Sequence, residues 1–355
     1  MNHLQHFCFD KRMTAIIKGI AILLMLLLHC YRNEAYDVTL SFDHALIPER
    51  NSVLKVCVGI FTFMVGYGYA FSRSKDWKYS LSHIKKLLIP FWVVLFVFTV
   101  PVCIKEVLST DALTLLYNLV GIDSHFNWYS WFVAFFIFAM IVMPLVSRFI
   151  DRKPLLNTVI AVIVTYLLSV AVHAIPGMLE NKPLMSLFNS LLMTPVMLVG
   201  YLFAHEHYYE RINVGRLAPA WIILISLVVI VITMTLRYYR WGIFAFRLDV
   251  FYVPLLIGAI VASFNVINWE PVKVALAKLG DVSVYMWFFH ALFFTKVVRW
   301  FYQPAITIFK DINLVVLWTI VLTFIASWLI KLIVDSVIIR ISQWTHRFYK
   351  SVFNS

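Results

Sequence analysis

The chain has 355 residues, 62% of them hydrophobic and 14% charged, with a formal net charge of +12 and a mean hydropathy of +0.85. Repeated apolar runs of about 20 residues, each long enough to cross a hydrocarbon core, exclude an ordinary soluble domain. The basic excess gathers beside these runs, where it suits anionic lipid headgroups, and no basic segment has a domain that could present it to nucleic acid.

The first run, AIIKGIAILLMLLLHCY, predicts a span from Met13 to Cys30. It contains Lys18 and His29, eleven positions apart. On a helix that spacing is about three turns, so the two side chains point within about 20° of each other and stand roughly 16 Å apart along the axis. A lysine inside a span costs about 3 kcal/mol on insertion scales, so such residues line a cavity or a pathway more often than they face lipid. The pair is expected to open into one continuous passage. Lys11 and Arg12 ahead of this run imitate a signal peptide, but no small-residue cleavage site follows Cys30, and the segment is read as an uncleaved span.

Further spans are predicted in order at Val53 to Phe71, Leu87 to Ile104, Trp128 to Val146, Leu155 to Ile175, Leu184 to Ala204, Leu217 to Leu236, Val250 to Ile267, Val282 to Val298 and Leu314 to Val334. The expected fold class is therefore all-α, a polytopic transmembrane bundle of about ten spans forming a single domain over 1–355, with no appended soluble domain. An even number of spans puts both termini on one side. The larger share of Lys and Arg falls there, which makes that side cytoplasmic by the positive-inside bias. The expected location is a cell membrane, as a multi-pass protein of the bacterial plasma membrane.

The longer connections, Tyr31 to Ser52, Lys105 to Asn127 and Arg237 to Asp249, fall on the opposite side. The last reads RYYRWGIFAFRLD and interleaves Arg237, Arg240 and Arg247 with aromatic residues including Trp241. That mixture suits stacking on sugar faces with pairing to acidic groups; it equally suits an interfacial aromatic belt with snorkelling arginines. The four cysteines show no close metal-ligand spacing, so neither zinc nor a disulfide framework is expected. His290 lies well inside the ninth window and is either a second pathway residue or a satisfied core histidine.

Four stretches in order resemble the acyltransferase-3 family, integral membrane enzymes that commonly O-acetylate surface polysaccharides and other glycans. They are KGIAILLMLLLH with Lys18 and His29; FTFMVGYGYAF followed by IKKLLIPFW with Lys85, Lys86 and Pro90; the fourth span, with Trp131, Phe132 and Pro144; and LGDVSVYMWFFHALFF with Leu279, Gly280, Ser283 and His290. The chain departs from the family pattern where Val65 precedes Gly66 and where many members carry arginine in place of Lys18. Lysine keeps the charge and loses the planar fork.

The resemblance implies an acyl donor supplied from the cytoplasm, acetyl-CoA, with no permanently bound cofactor, and an acceptor hydroxyl on a glycan or glycolipid. A sugar hydroxyl needs a base near neutral pH, and histidine, with an ordinary pKa of about 6.5, is the natural one. His29 takes that role, either as general base or as a transient acyl carrier. Lys18 is expected along the donor channel as a catalytic cation, with Lys85 and Lys86 near the donor phosphates. Trp131, Arg237, Arg240, Trp241, Arg247 and His290 are the candidates on the acceptor side. The competing class is a secondary transporter or lipid-linked glycan flippase, which ten spans with buried charge suit as well.

Overall fold

The structure is a computed structural model that describes residues 9–32, 53–212, 217–239 and 248–353, with side chains for 9–31, 53–212, 217–239 and 248–336. Among the described residues the chain folds into fourteen α-helices and no strand. Eight helices are long and apolar enough to cross a membrane: α1 (Lys11–Arg32), α3 (Trp77–Val93 with a π-helical extension Val94–Thr99), α6 (Trp131–Ile150), α7 (Pro154–His173), α8 (Lys182–His205), α9 (Pro219–Tyr238), α10 (Asp249–Val266) and α14 (Ile312–Phe353). Two shorter apolar segments, α2 (Val56–Ala70) and α12 (Ser283–His290, extended by a 3₁₀ turn to Phe293), occupy the remaining two predicted windows. The other helices are α4 (Ile104–Ser109) and α5 (Ala112–Leu119) in the first long connection after α3, α11 (Glu270–Asp281) and the short α13 (Arg299–Tyr302).

Burial sorts the spans into centre and rim. In α8, 78% of the apolar window is buried, and in α1 67%, against 22% in α7 and 17% in α9. The exposed apolar faces of α7 and α9, with residues such as Leu167 and Val231, are what lipid would cover. At the centre, packing relies on missing side chains. A methyl group on Gly66 of α2 would strike the Met197 carbonyl of α8, and one on Gly200 of α8 would strike the Phe63 carbonyl of α2. The same holds where α1 crosses α11, with Gly19 against Leu276 and Gly280 against Ala15. Close backbone approach of this kind substitutes for the hydrophobic drive that lipid removes between helices.

Chain punctuation follows local chemistry. Asp10 caps α1 by accepting from Met13 N at 2.8 Å, Asp76 caps α3 through Tyr79 N at 2.8 Å, and Asn181 caps α8 through Leu184 N at 3.1 Å. Pro90 lies inside α3, where its ring and missing N–H disturb the ladder, and the helix relaxes into the wider π-turn that begins at Val94.

The structure amends the sequence reading in three places. The third span begins at Trp77 instead of Leu87, which draws Lys85 and Lys86 into the helix. The ninth window, Val282 to Val298, is helical only from Ser283 to Phe293, and the charged stretch before it, which lies outside the predicted spans and holds Glu270, Lys273, Lys278 and Asp281, is the helix α11 packed along α1. Arg237, read as part of an outer loop, sits in the last turn of α9.

Candidate active site

His29 lies near the C-terminal end of α1 and is 8% exposed. Its ring meets Tyr129, with centroids 3.8 Å apart, and His290 of α12, with centroids 5.2 Å apart and planes at 28°. Tyr129 stacks on His290 as well, at 5.1 Å and 15°, and Phe294 closes the cluster at 6.0 Å from each imidazole. His290 is fully buried. Its Nδ1–H donates to the Met286 carbonyl at 3.0 Å, the ordinary helical back-bond, which leaves Nε2 as the lone-pair nitrogen. Among the described residues that Nε2 has no hydrogen-bond partner. The ninth-window histidine therefore stands beside His29, in contact with the same tyrosine.

His29 borders a cavity of about 270 Å³ that is also lined by Lys55, Cys57, Trp128, Tyr129, Trp131 and Asn189. The cavity brings together an imidazole, a cation, a side-chain amide and three indoles, those of Trp128, Trp131 and Trp287. Such a set can hydrogen-bond a polyhydroxyl ligand and stack on its apolar faces. Trp131, an acceptor-side candidate of the sequence reading, begins α6 and lines the same cavity as His29.

Lys18 borders a second cavity, of about 300 Å³, with Thr14, Tyr69, Tyr79, His83 and Leu87 among its walls. Asp281, at the end of α11, is the acidic side chain whose field reaches Lys18. Tyr79, His83 and Leu87 succeed one another at four-residue steps, so α3 turns one stripe toward Lys18. The His83 Nδ1–H donates to the Tyr79 carbonyl at 2.9 Å, and the two rings stack at 3.9 Å. Lys18 and His29 do share one stripe of α1, as their spacing implies. Thr14 and Lys18 serve one cavity and Met25 and His29 the other, while Ala21 and Ile22 between them are completely buried. The single open passage expected from the sequence is thus two chambers in this structure. Trp287 is the one described residue that lines both.

Other sequence candidates fall elsewhere. Lys85 and Lys86 are exposed and line neither chamber. Arg237 is fully buried and forms an ion pair with Asp249 of α10, which is 1% exposed. Gly59 of α2 leaves room for that carboxylate, since a methyl there would lie 3.2 Å from Asp249 Oδ2. An arginine held this way is a joint between α9 and α10, and its guanidinium is not presented to an outer ligand. Arg240, Trp241 and Arg247 lie outside the described residues.

On the face that carries Arg12, charged groups tie helix ends together. Lys75 reaches Asp151 at 3.1 Å and also bonds the Tyr201 hydroxyl, which donates to Asp151 at 2.5 Å. His205 Nε2 lies 3.3 Å from the same carboxylate. Arg12 pairs with Glu270 at the exposed start of α11 and holds its carboxyl below the usual carboxylate range. No group of three or more His, Cys, Asp or Glu among the described residues is arranged to hold a metal ion.

Residues 15–332 match the model of the acyltransferase-3 family, described as an acyltransferase domain. The chain belongs to the acyltransferase-3 family. No curated protein and no solved structure matches it. Membership and the apolar helices together make this acyltransferase a multi-pass membrane protein. Several residues around its chambers escaped the sequence reading. His83 stood in a basic stretch that reads as a membrane boundary, and only its four-residue spacing from Tyr79 and Leu87 hinted at a lining stripe. Lys55, Tyr129 and Asn189 sit at the ends or in the middle of apolar windows with no local signal, and Trp287 reads as one more aromatic in VYMWFFH.

Proposed function

We propose that this acyltransferase moves an acetyl group from cytoplasmic acetyl-CoA to a hydroxyl of a cell-surface or lipid-linked glycan in the bacterial plasma membrane, with His29 as general base or acyl carrier. The observation that carries this reading is the His29, Tyr129 and His290 ring cluster at the wall of a chamber that also offers Trp131, Lys55 and Asn189. A buried imidazole beside a ligand-sized polar and aromatic chamber is what deprotonating a sugar hydroxyl needs.

On this reading the thioester end of the donor enters the Lys18 chamber. Lys18 and His83 there offer positive or hydrogen-bonding partners to the donor arm behind the thioester, whose carbonyl reaches on toward His29. Lys85 and Lys86, exposed on the same helix as His83, meet the nucleotide phosphates outside. The acceptor hydroxyl enters beside His29. As its oxygen attacks, the C–O bond forms, the thioester C–S bond breaks, and the hydroxyl proton passes to His29 and on to the leaving thiolate. If His29 first carries the acyl group, the same bonds change in two steps and an acyl-imidazole accumulates briefly.

The test is mass analysis of surface glycan from cells bearing the native protein or His29→Ala at equal membrane level. Loss of one acetyl mass increment in the variant is expected. Unchanged acetate content would reject the assignment. A lipid-linked glycan flippase, the competing class, would instead lose translocation in the variant while consumption of acetyl-CoA stayed the same.

A further inference from the structure

We infer that Trp287 sets the length of acyl chain this protein transfers, by forming the partition that the thioester must pass; the inference rests on the acyl-transfer reading above. Trp287 is 5% exposed on α12 and is the one described residue common to the Lys18 and His29 chambers. Its indole does not hang free. The Nε1–H donates to the Tyr129 carbonyl at 3.1 Å, Phe61 of α2 meets it edge-on at 4.9 Å, and Phe132 of α6 packs on it at 4.7 Å. On the α1 side, the buried Ala21 and Ile22 fill the interval between the chambers.

Trp287 is the described side chain common to the walls of both chambers, so a donor that brings its carbonyl carbon from the Lys18 side toward His29 passes this indole. The acyl tail extends beyond that carbon, so it must pass the partition and share the roughly 270 Å³ outer chamber with the acceptor. A methyl group asks little of such a contact. Each further methylene must displace closely packed aromatic surface, which a packed site resists. The indole therefore favours acetyl over longer chains and holds the two chambers apart when no donor is present. The reaction itself is unchanged: the ester bond forms as the thioester bond breaks, and the thiol leaves on the Lys18 side.

Two measurements test this on the full-length protein in inverted membrane vesicles of the producing cells, which carry the native acceptor. The first follows thiol release from acetyl-, butyryl- and hexanoyl-CoA. The native protein should favour acetyl over hexanoyl by at least about tenfold, and Trp287→Ala should flatten that preference to about twofold or less. Trp287→Phe, which keeps a ring and loses the bulk and the donor, should fall between. The second uses Cys57 as a reporter in the outer chamber, with Cys8, Cys30 and Cys103 changed to serine. A small charged thiosulfonate added on the Lys18 side should modify Cys57 at least about tenfold faster in Trp287→Ala than in the native background. An identical chain-length profile in native protein and variant would overturn the inference. So would an unchanged Cys57 rate. Absence of thiol release from all three donors, with a Cys57 rate that still responds to Trp287, would overturn the acyl-transfer reading and the chain-length role with it, leaving the partition standing. Should Trp287→Ala fail to reach the membrane, Trp287→Leu carries the same tests.

Discussion

His29 and His290, separated by 261 positions in the chain, hold their imidazole rings 5.2 Å apart at an angle of 28°, with Tyr129 against both. The His290 Nδ1–H is committed to the Met286 carbonyl, so its ring orientation and tautomer are set by its own helix. It is placed to position the neighbouring imidazole, whatever proton that neighbour carries. Replacing His290 with Phe keeps a ring in the stack and removes the nitrogen. We expect transfer to fall by at least about tenfold with the protein still inserted, and the double variant with His29→Gln to be no slower than His29→Gln alone. Full activity in His290→Phe would reduce His290 to packing.

Lys18 shares its chamber with His83 and not with His29, so its substitution should be felt by the donor. Lys18→Met is expected to raise the KM for acetyl-CoA by about tenfold, the scale of one lost charge-assisted contact, and to leave the acceptor concentration dependence unchanged. Lys18→Arg, which restores the residue common in the family, should recover most of the loss. An equal effect on both substrates would place the lysine's role in the fold.

The buried Arg237–Asp249 pair links α9 to α10 with neither group exposed to water. Removing one partner strands the other charge, and Arg237→Met or Asp249→Asn should each destabilise the protein by about 3–5 kcal/mol. The double change Arg237→Met with Asp249→Leu should recover most of that loss. Thermal unfolding in detergent reads both. A single variant as stable as the parent would show that the pair contributes nothing net.

Glu270 supplies a pH signature. Its carboxyl is held below the usual range by the hydrogen bond from Arg12, aided by the charges of Arg12 and Lys273. A depressed carboxylate stabilises the fold above its unfolded pKa, and that contribution disappears as pH falls through the folded value. Acidification should therefore loosen the contact between the start of α11 and α1. Glu270→Gln should remove that component of the acid response; an identical acid limb with and without the carboxylate would show that the exposed pair does not matter to stability.

What the chain reveals before folding is what depends on neighbours a few residues away. The apolar windows were legible because each span satisfies its own backbone, and the Lys18 and His29 stripe was legible because eleven residues fix an angle on any helix. The helix α11 was not, since its charges read as a connection and its packing depends on glycines whose partners lie more than 250 positions away. Arg237 looked like an outer-loop cation because nothing nearby in the sequence marks Asp249, twelve positions on, as its partner. The division into two chambers was invisible for the same reason. It depends on Trp287 meeting Phe61, Phe132 and Tyr129, three residues on other segments whose local patterns are ordinary.

Gly19, Gly66, Gly200 and Gly280 stand where two backbones touch, and any heavier residue there would push a whole helix aside. Such positions are indifferent to which acceptor is modified. Across relatives with different acceptors, these four should stay constant while Lys55, Trp128 and Asn189 drift with the acceptor; a lineage free to change the glycines and not the chamber wall would have found another way to assemble the scaffold.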